Sequence, residues 1–196
     1  QLQPDVIHCG TPCTKMCICG KKELDRATKA QNAFTYAVCK HQVAVKRHAS
    51  VENPDSSLLW KLEDSIKVFG TAEQPRAPWR FYESHGCQLN MVYPGNDDPG
   101  APIKKAQKWA ATFSLESMQL KCRKPLALLG CTHEHREIRG RMNVGEYRNV
   151  PVGQYSGKYS EEMATVYARD VLRAVTDLGR LRMLQTRAAY PGHWIE

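Results

Sequence analysis

The sequence lacks any long apolar run, and this excludes one class of protein. None of its apolar stretches approaches the ~20 residues that a helix needs to span a bilayer, so no membrane partner is expected. Pro4 and Asp5 interrupt the first residues, and no secretory signal is expected there. Internal repeats and low-complexity tracts are also lacking. What is present is an ordinary globular composition of 196 residues, 42% hydrophobic and 24% charged, which suits one domain.

Basic residues exceed acidic ones, 28 against 20, and the formal net charge is +8. This excess predicts a polyanionic partner such as nucleic acid, with a merely solvated basic surface as the alternative. The eight cysteines are an even number that would allow a disulfide framework. Such frameworks occur mostly in short secreted chains with small cores. We therefore expect an intracellular, reducing compartment, either nucleus or cytoplasm.

Apolar periodicity predicts alternating strands and helices along most of the chain. The predicted strands cover residues 5–9, a segment ending at 54, 78–87 and 104–114, and the predicted helices cover 21–46, 55–69 and 160–184. This order predicts an α/β fold with a mainly parallel sheet, whose ligands lie beyond the carboxyl ends of the strands. The large side chains expected in the core are Phe34, Trp60, Trp79 and Trp109.

Two chemically active side chains follow neighbouring strands of this predicted sheet. Cys13 comes after the first strand, in the turn Gly-Thr-Pro-Cys. Glu52 lies at the end of the second strand, followed by Asn53 and Pro54. Because parallel strands end at the same edge of a sheet, we expect Cys13 and Glu52 to lie side by side.

The stretch PDVIHCGTPC, taken with the later ENP, resembles the cytosine-C5 methyltransferase family. The resemblance implies a Rossmann-like methyltransferase fold, S-adenosylmethionine as cofactor and nucleic acid as partner, with DNA favoured over RNA. It also implies that Cys13 attacks carbon 6 of cytosine while Glu52 acts at N3 of the ring. Asn53 and Pro54 would hold the loop. The target base must leave its stack to reach such a pocket.

Two later segments of the same resemblance imply further contacts. In APIKKAQKWAATFS, lysines stand where the family has a Gln-x-Arg-x-Arg motif, and the implied substrate-binding residues are Lys104, Lys105 and Lys108. The segment VPVGQYSGKYSEE resembles the last family motif. The residues implied beside the methyl donor are Pro12, Gln154, Tyr155 and Ser156.

The family's opening strand and Gly-rich turn have no counterpart in this sequence. We interpret residues 1–196 as a partial methyltransferase-like domain without the N-terminal strands, which a partner chain would supply. Residues 115–150 are interpreted as a short, irregular, basic insert in place of a target-recognition domain. The alternative is a catalytically incomplete methyltransferase-like subunit that binds nucleic acid.

Cysteine and histidine residues in the basic insert raise a third interpretation, a zinc-clipped nucleic-acid-binding module. The candidate ligands there are Cys122, Cys131, His133 and His135, in a region that would gain from a metal clip. A second candidate set is the quartet Cys9, Cys13, Cys17 and Cys19. Its tight spacing is a poorer match, because structural zinc sites usually take their ligands from two separated pairs.

Overall fold

A computed structural model describes residues 3–13, 16, 24–93, 100–122, 133–136, 141–144, 147–155 and 157–189. The strands are β1 (Val6–Gly10), β2 (His48–Pro54), β3 (Arg80–His85), β4 (Ala106–Ala111), β5 (Arg141–Val144) and β6 (Tyr147–Pro151). The helices are α1 (Arg26–Ala44), α2 (Glu63–Phe69), α3 (Val152–Tyr155) and α4 (Glu161–Ala189). The α/β class is therefore confirmed.

The main sheet has four strands in the order β1-β2-β4-β3, and the prediction that it is mainly parallel is wrong. β1 and β2 are parallel, whereas β4 runs antiparallel to both of its neighbours. The described part of the connection after β3, residues 86–93 and 100–105, contains a 3-10 turn and no crossover helix. The chain turns back at the same end of the sheet, so that His85, the last residue of β3, pairs with Ala106, the first residue of β4. Without a crossover, a returning strand pairs antiparallel.

Helices cover both faces of this sheet, and alternate residues of β2 point to opposite cores. Ala49 and Val51 belong to the core on the side of α1 and α2. Trp109 of β4, opposite Glu52, belongs to the core formed with α4, and Met163 of α4 packs in that same core. Glu52 therefore lies on the face that α4 covers.

The buried face of α1 is mostly polar, and the prediction that Phe34 lies in the core is wrong, since its side chain is 69% exposed. Gln42 donates to the carbonyl oxygens of Pro4 and His48, each at 3.2 Å. The Tyr36 hydroxyl forms a 2.7 Å hydrogen bond with that of Ser65 in α2. Hydrogen bonds, and not apolar periodicity alone, thus decide which side of α1 faces inward.

Two further segments depart from the predicted boundaries. The helix expected over 55–69 is split into a 3-10 turn over 58–61 and α2, with Ser57 capping the turn. The Trp60 indole donates to the Pro54 carbonyl oxygen at 3.0 Å, which fixes the chain just after β2. Within the insert, β5 and β6 form an antiparallel pair, so that part is regular.

α4 begins where the sequence predicts, after Ser160, whose hydroxyl accepts from the Met163 amide at 3.1 Å. Such a cap satisfies one of the free amides at a helix start. Leu172 and Leu181, on the predicted apolar face, are exposed. Among the helices that the structure describes, none has the length and apolar character of a membrane span.

Candidate functional site

Cys13 lies in a short loop after β1, and hydrogen bonds to other segments hold the chain both before and after this residue. Asn53, near the end of β2, donates from Nδ2 to the Thr11 carbonyl oxygen at 2.6 Å. Met16 is fully buried, and its carbonyl oxygen accepts from the Leu58 amide at 2.8 Å. Cys13, half-buried, lies between these two anchors. The loop therefore holds Cys13 at the carboxyl end of β1, beside β2.

Glu52 lies opposite Gly10 in the parallel ladder of β1 and β2, and it is only 7% exposed. Its Oε1 accepts from Gln107 Nε2 at 3.1 Å, and its Oε2 accepts from the Tyr159 hydroxyl at 2.8 Å. Burial raises the pKa of Glu52, although the Lys105 charge and the two hydrogen bonds oppose that rise. The carboxyl group is thus fixed in place and keeps a proton more readily than an exposed glutamate.

A histidine and two further aromatic rings are connected to this carboxyl group through Tyr159. His8 Nδ1 lies 2.9 Å from the Ser50 hydroxyl, and His8 Nε2 lies 3.1 Å from the Tyr159 hydroxyl. The Ser50 hydroxyl is also 2.8 Å from that of Tyr167 in α4. The His8 ring stacks on Trp109 with centroids 5.7 Å apart. These contacts form one continuous hydrogen-bonded network from α4 across β2 and β1.

The ionisation of this network follows from its burial. Burial lowers the pKa of His8 to about 4, so the ring is neutral near pH 7. Burial and the Glu52 carboxylate raise the pKa of Tyr159, and Cys13 adds a smaller contribution. The pKa of Tyr159 therefore depends on both predicted catalytic side chains, Glu52 and Cys13. Sequence reasoning missed Tyr159 as a site residue, and its only signal was its position just before the N-terminus of α4.

The three lysines implied by the resemblance lie in different surroundings. Lys108 is paired with Asp55, with Nζ and Oδ1 2.8 Å apart. Lys105 is half-buried, and its charge acts on Glu52. Lys104 is exposed. Of these three lysines, Lys105 is therefore the one whose charge acts on Glu52.

The four predicted cofactor residues do not form one described cluster. Tyr155 packs against the core on the α4 side of the sheet. Pro12 lines an open cavity of about 490 Å³ between β1 and α1, on the other side. Gln154 lies in α3, with its side chain outside the described part, and Ser156 lies outside the described residues.

Three buried oxygen atoms near the carboxyl end of β2 have no hydrogen-bond partner among the described residues. They are Thr11 Oγ1, Asn53 Oδ1 and Gln107 Oε1. Buried polar atoms in proteins are nearly always satisfied, and exceptions are often found where a ligand or an ordered water binds. This end of the sheet is therefore polar inside, unlike the two apolar cores.

Cys87, Cys122, His133 and His135 form a cluster that can bind a metal ion, their ligand atoms all lying within 4.8 Å of one another. Nε2 of His135 is 3.0 Å from Nε2 of His133 and 3.3 Å from each of the two sulfur atoms. A single ring nitrogen carries one hydrogen or one lone pair, so it cannot satisfy three such neighbours. A cation at the centre of the four atoms would satisfy all of them.

The cluster agrees with the sequence prediction at Cys122, His133 and His135 and adds Cys87 as a fourth member. Cys131 lies outside the described residues, and so do Cys17 and Cys19 of the second candidate set. Cys87 follows β3 and is far from the other three in sequence, so local spacing could not find it. The tertiary contact that brings it in is the Cys122 amide donating to His85 Nδ1 at 2.7 Å.

Comparisons with protein-family models, with curated proteins and with solved structures gave no match. The function must therefore be argued from these two groups of residues, the Cys13–Glu52 edge and the Cys/His cluster.

Proposed function

We propose that this chain carries the catalytic edge of a cytosine-C5 methyltransferase acting on nucleic acid. The observation that carries the proposal is that the Cys13 loop and Glu52 lie at the same end of the parallel β1–β2 pair, with Tyr159 hydrogen-bonded to Glu52. A four-stranded sheet with one reversed strand is compatible with a Rossmann-like fold.

In this proposal Cys13 is the nucleophile and Glu52 is the acid. The Cys13 thiolate adds to carbon 6 of the ring, which makes carbon 5 nucleophilic. The Glu52 carboxyl group engages N3 and stabilises the adduct, and its raised pKa favours the protonated form that can donate there. Asn53 keeps the Cys13 loop in place through its bond to Thr11.

S-adenosylmethionine supplies the methyl group in such a reaction, and the described residues fit it only in part. The cavity beside Pro12 has the volume of a small-molecule site. Its described lining includes Gln31 and Phe34 but no carboxylate that could bind a ribose. On its outer side, β1 has no neighbouring strand among the described residues. The proposal therefore assigns donor binding to a partner chain that pairs with β1 at this edge.

Nucleic acid is the proposed partner because of the net charge of +8 and the cations near the site. Lys104 is exposed and available to a phosphate, whereas Lys105 lies nearer Glu52. The proposal favours DNA over RNA.

Covalent trapping tests the role of Cys13. A DNA oligonucleotide in which 2-pyrimidinone replaces one cytosine offers an electrophilic ring whose adduct does not require methyl transfer. We expect a denaturation-resistant complex with the wild-type chain and none with Cys13→Ser, because serine is a far weaker nucleophile. Cys39→Ala, which removes a buried thiol within α1, is the matched control and should still form the complex.

Peptide mapping by mass spectrometry would place the adduct on Cys13. A wild-type chain that forms no adduct, or one that maps to another cysteine, would contradict the proposal.

Calorimetry with S-adenosylmethionine tests the assignment of donor binding to a partner. We expect weak or no binding by this chain alone, because the described lining of the cavity offers no carboxylate to the ribose. A dissociation constant in the low micromolar range or below would contradict this expectation and would place the donor site within the chain.

A second candidate function, structural zinc binding, is favoured by the geometry of the Cys/His cluster. Two thiolates and two imidazoles form one of the common tetrahedral zinc sites, with ligand atoms roughly 3.3–3.8 Å apart at normal bond lengths. The separations of 3.0–3.3 Å around His135 are close to that range. With four protein ligands the site would be closed, so the ion would hold chain segments together. Metal analysis of the purified chain tests it.

A further inference from the structure

We propose that Tyr159 and His8 are positioning residues for Glu52, with His8 fixing the Tyr159 hydroxyl so that it donates to Glu52 Oε2. This inference rests on the proposed role of Glu52 as the acid. It adds two residues that neither the motifs nor their spacing assigned to the site.

The hydrogen bonds allow one consistent direction when Glu52 is ionised. A carboxylate only accepts, so the Tyr159 hydroxyl must donate across its 2.8 Å contact with Oε2. The Tyr159 oxygen is then free to accept from His8 Nε2 at 3.1 Å. A neutral His8 protonated at Nε2 has a lone pair on Nδ1, which accepts from the Ser50 hydroxyl at 2.9 Å. Ser50 in turn accepts from Tyr167 at 2.8 Å.

Packing holds the two positioning residues in place. The His8 ring packs against both Trp109 and Tyr167, with centroids 5.7 Å and 5.1 Å away. Trp109 also lies 6.0 Å from the Tyr159 ring. The hydroxyl of Tyr159 reaches the end of β1, 3.4 Å from the place that a side chain on Gly10 would occupy. Although Tyr159 is 38% exposed, these contacts hold its hydroxyl group toward Glu52.

The groups around Glu52 determine how each substitution should change its pKa. From β4 it meets the neutral amide of Gln107, and just before β4 the charge of Lys105. Tyr159, in the segment before α4, donates a hydrogen bond to Glu52. Tyr159 in turn contacts His8 of β1, and His8 packs against Tyr167 of α4. Cys13 adds to the electrostatics of Tyr159. A hydrogen bond donated to the ionised form lowers a carboxyl pKa, so losing the Tyr159 donor should raise the pKa of Glu52.

Carbon-13 NMR titration of the glutamate carboxyl groups in the full chain tests this inference, with Glu52 assigned by comparison with Glu52→Gln. We expect Tyr159→Phe to raise the pKa of Glu52 by about one unit or more. Tyr82→Phe, which removes a buried hydroxyl from β3 on the far side of β4, should leave it unchanged. An unchanged Glu52 pKa in Tyr159→Phe would overturn the inference.

A pair of His8 variants separates positioning from a purely structural role. Glutamine can place an amide donor near the position of His8 Nε2, whereas leucine cannot donate. We expect His8→Leu to raise the Glu52 pKa and His8→Gln to keep it within a few tenths of a unit of wild type. Equal titration curves for the two variants would contradict the inference, and this pair decides the question if Tyr159→Phe does not fold.

The titration is independent of the methyltransferase proposal. If the pKa shifts appear but the Cys13 adduct never forms, the positioning stands and the proposed reaction fails. If the adduct forms without the shifts, the reaction stands and the positioning fails.

Discussion

The purified wild-type chain is expected to contain about one zinc ion per molecule, and Cys87→Ser is expected to lose most of it. Four ligand atoms already lie within 4.8 Å of one another, so binding requires little rearrangement of the chain. Removing one thiolate leaves three ligands and an open position, which is the arrangement of a catalytic and not of a structural zinc site. Elemental analysis by mass spectrometry measures the zinc content.

Cys131→Ser is the discriminating control for this zinc prediction. The sequence pattern includes Cys131 among the ligands, whereas the structure supplies Cys87 in the fourth place. We therefore expect Cys131→Ser to keep its zinc. A wild-type chain with less than about 0.2 equivalents of zinc would contradict the site itself, since a structural site binds tightly enough to survive purification.

Removing the metal should also destabilise the fold, because an ion that binds only the folded state adds its binding free energy to stability. Chelator treatment is expected to lower the midpoint of thermal unfolding in the wild-type chain. The same treatment should have little effect on Cys87→Ser, which already lacks the ion. An equal response in both chains would show that the chelator acts elsewhere.

Trp109→Ala is expected to reduce the free energy of unfolding by about 3–5 kcal/mol, as is typical when a large aromatic is removed from a core. Trp109 is 1% exposed, and its indole donates to the Ser84 hydroxyl at 2.9 Å. The substitution therefore leaves both a cavity and a buried hydroxyl without its donor. Urea denaturation followed by far-ultraviolet circular dichroism gives the free energy.

Phe34→Ala is the matched control for Trp109→Ala. Both residues are large aromatics that the sequence places in the core, but Phe34 is 69% exposed. We expect its substitution to change the free energy of unfolding by no more than about 0.5 kcal/mol, as for most surface positions. A comparable loss for Phe34→Ala and Trp109→Ala would mean that the assigned faces of α1 or β4 are wrong.

The sequence was sufficient to predict the local structure around the Cys13–Glu52 edge. The strand before Cys13 and the strand ending at Pro54 were both predicted, and they pair in parallel. Ala49 and Val51 alternate with polar residues in the second strand, and turn residues mark the ends of both strands, so the local signals are strong. The adjacency of the two strand ends then follows from the fold class.

Features set by tertiary structure could not be predicted in the same way. The direction of β4 depends on the path of residues 86–105, where no periodic pattern exists. The inward face of α1 depends on partners for Gln42 and Tyr36 that lie in other elements. Cys87 joins the Cys/His cluster through the contact between His85, at the end of β3, and Cys122, beyond β4. In each case the deciding contact joins residues distant in sequence, and no local spacing encodes it.

The positions of the metal ligands also determine when in folding the cluster can form. Cys87 follows β3 and Cys122 follows β4, so the paired strands carry the two segments that contain these thiols. Small zinc modules assemble around a short local loop, and there the ion can start folding. In the proposed zinc site, by contrast, the ligands come from segments distant in sequence, so binding by all four would be coupled to formation of the sheet. Metal uptake would then act as a checkpoint that selects chains with a completed β3–β4 pair.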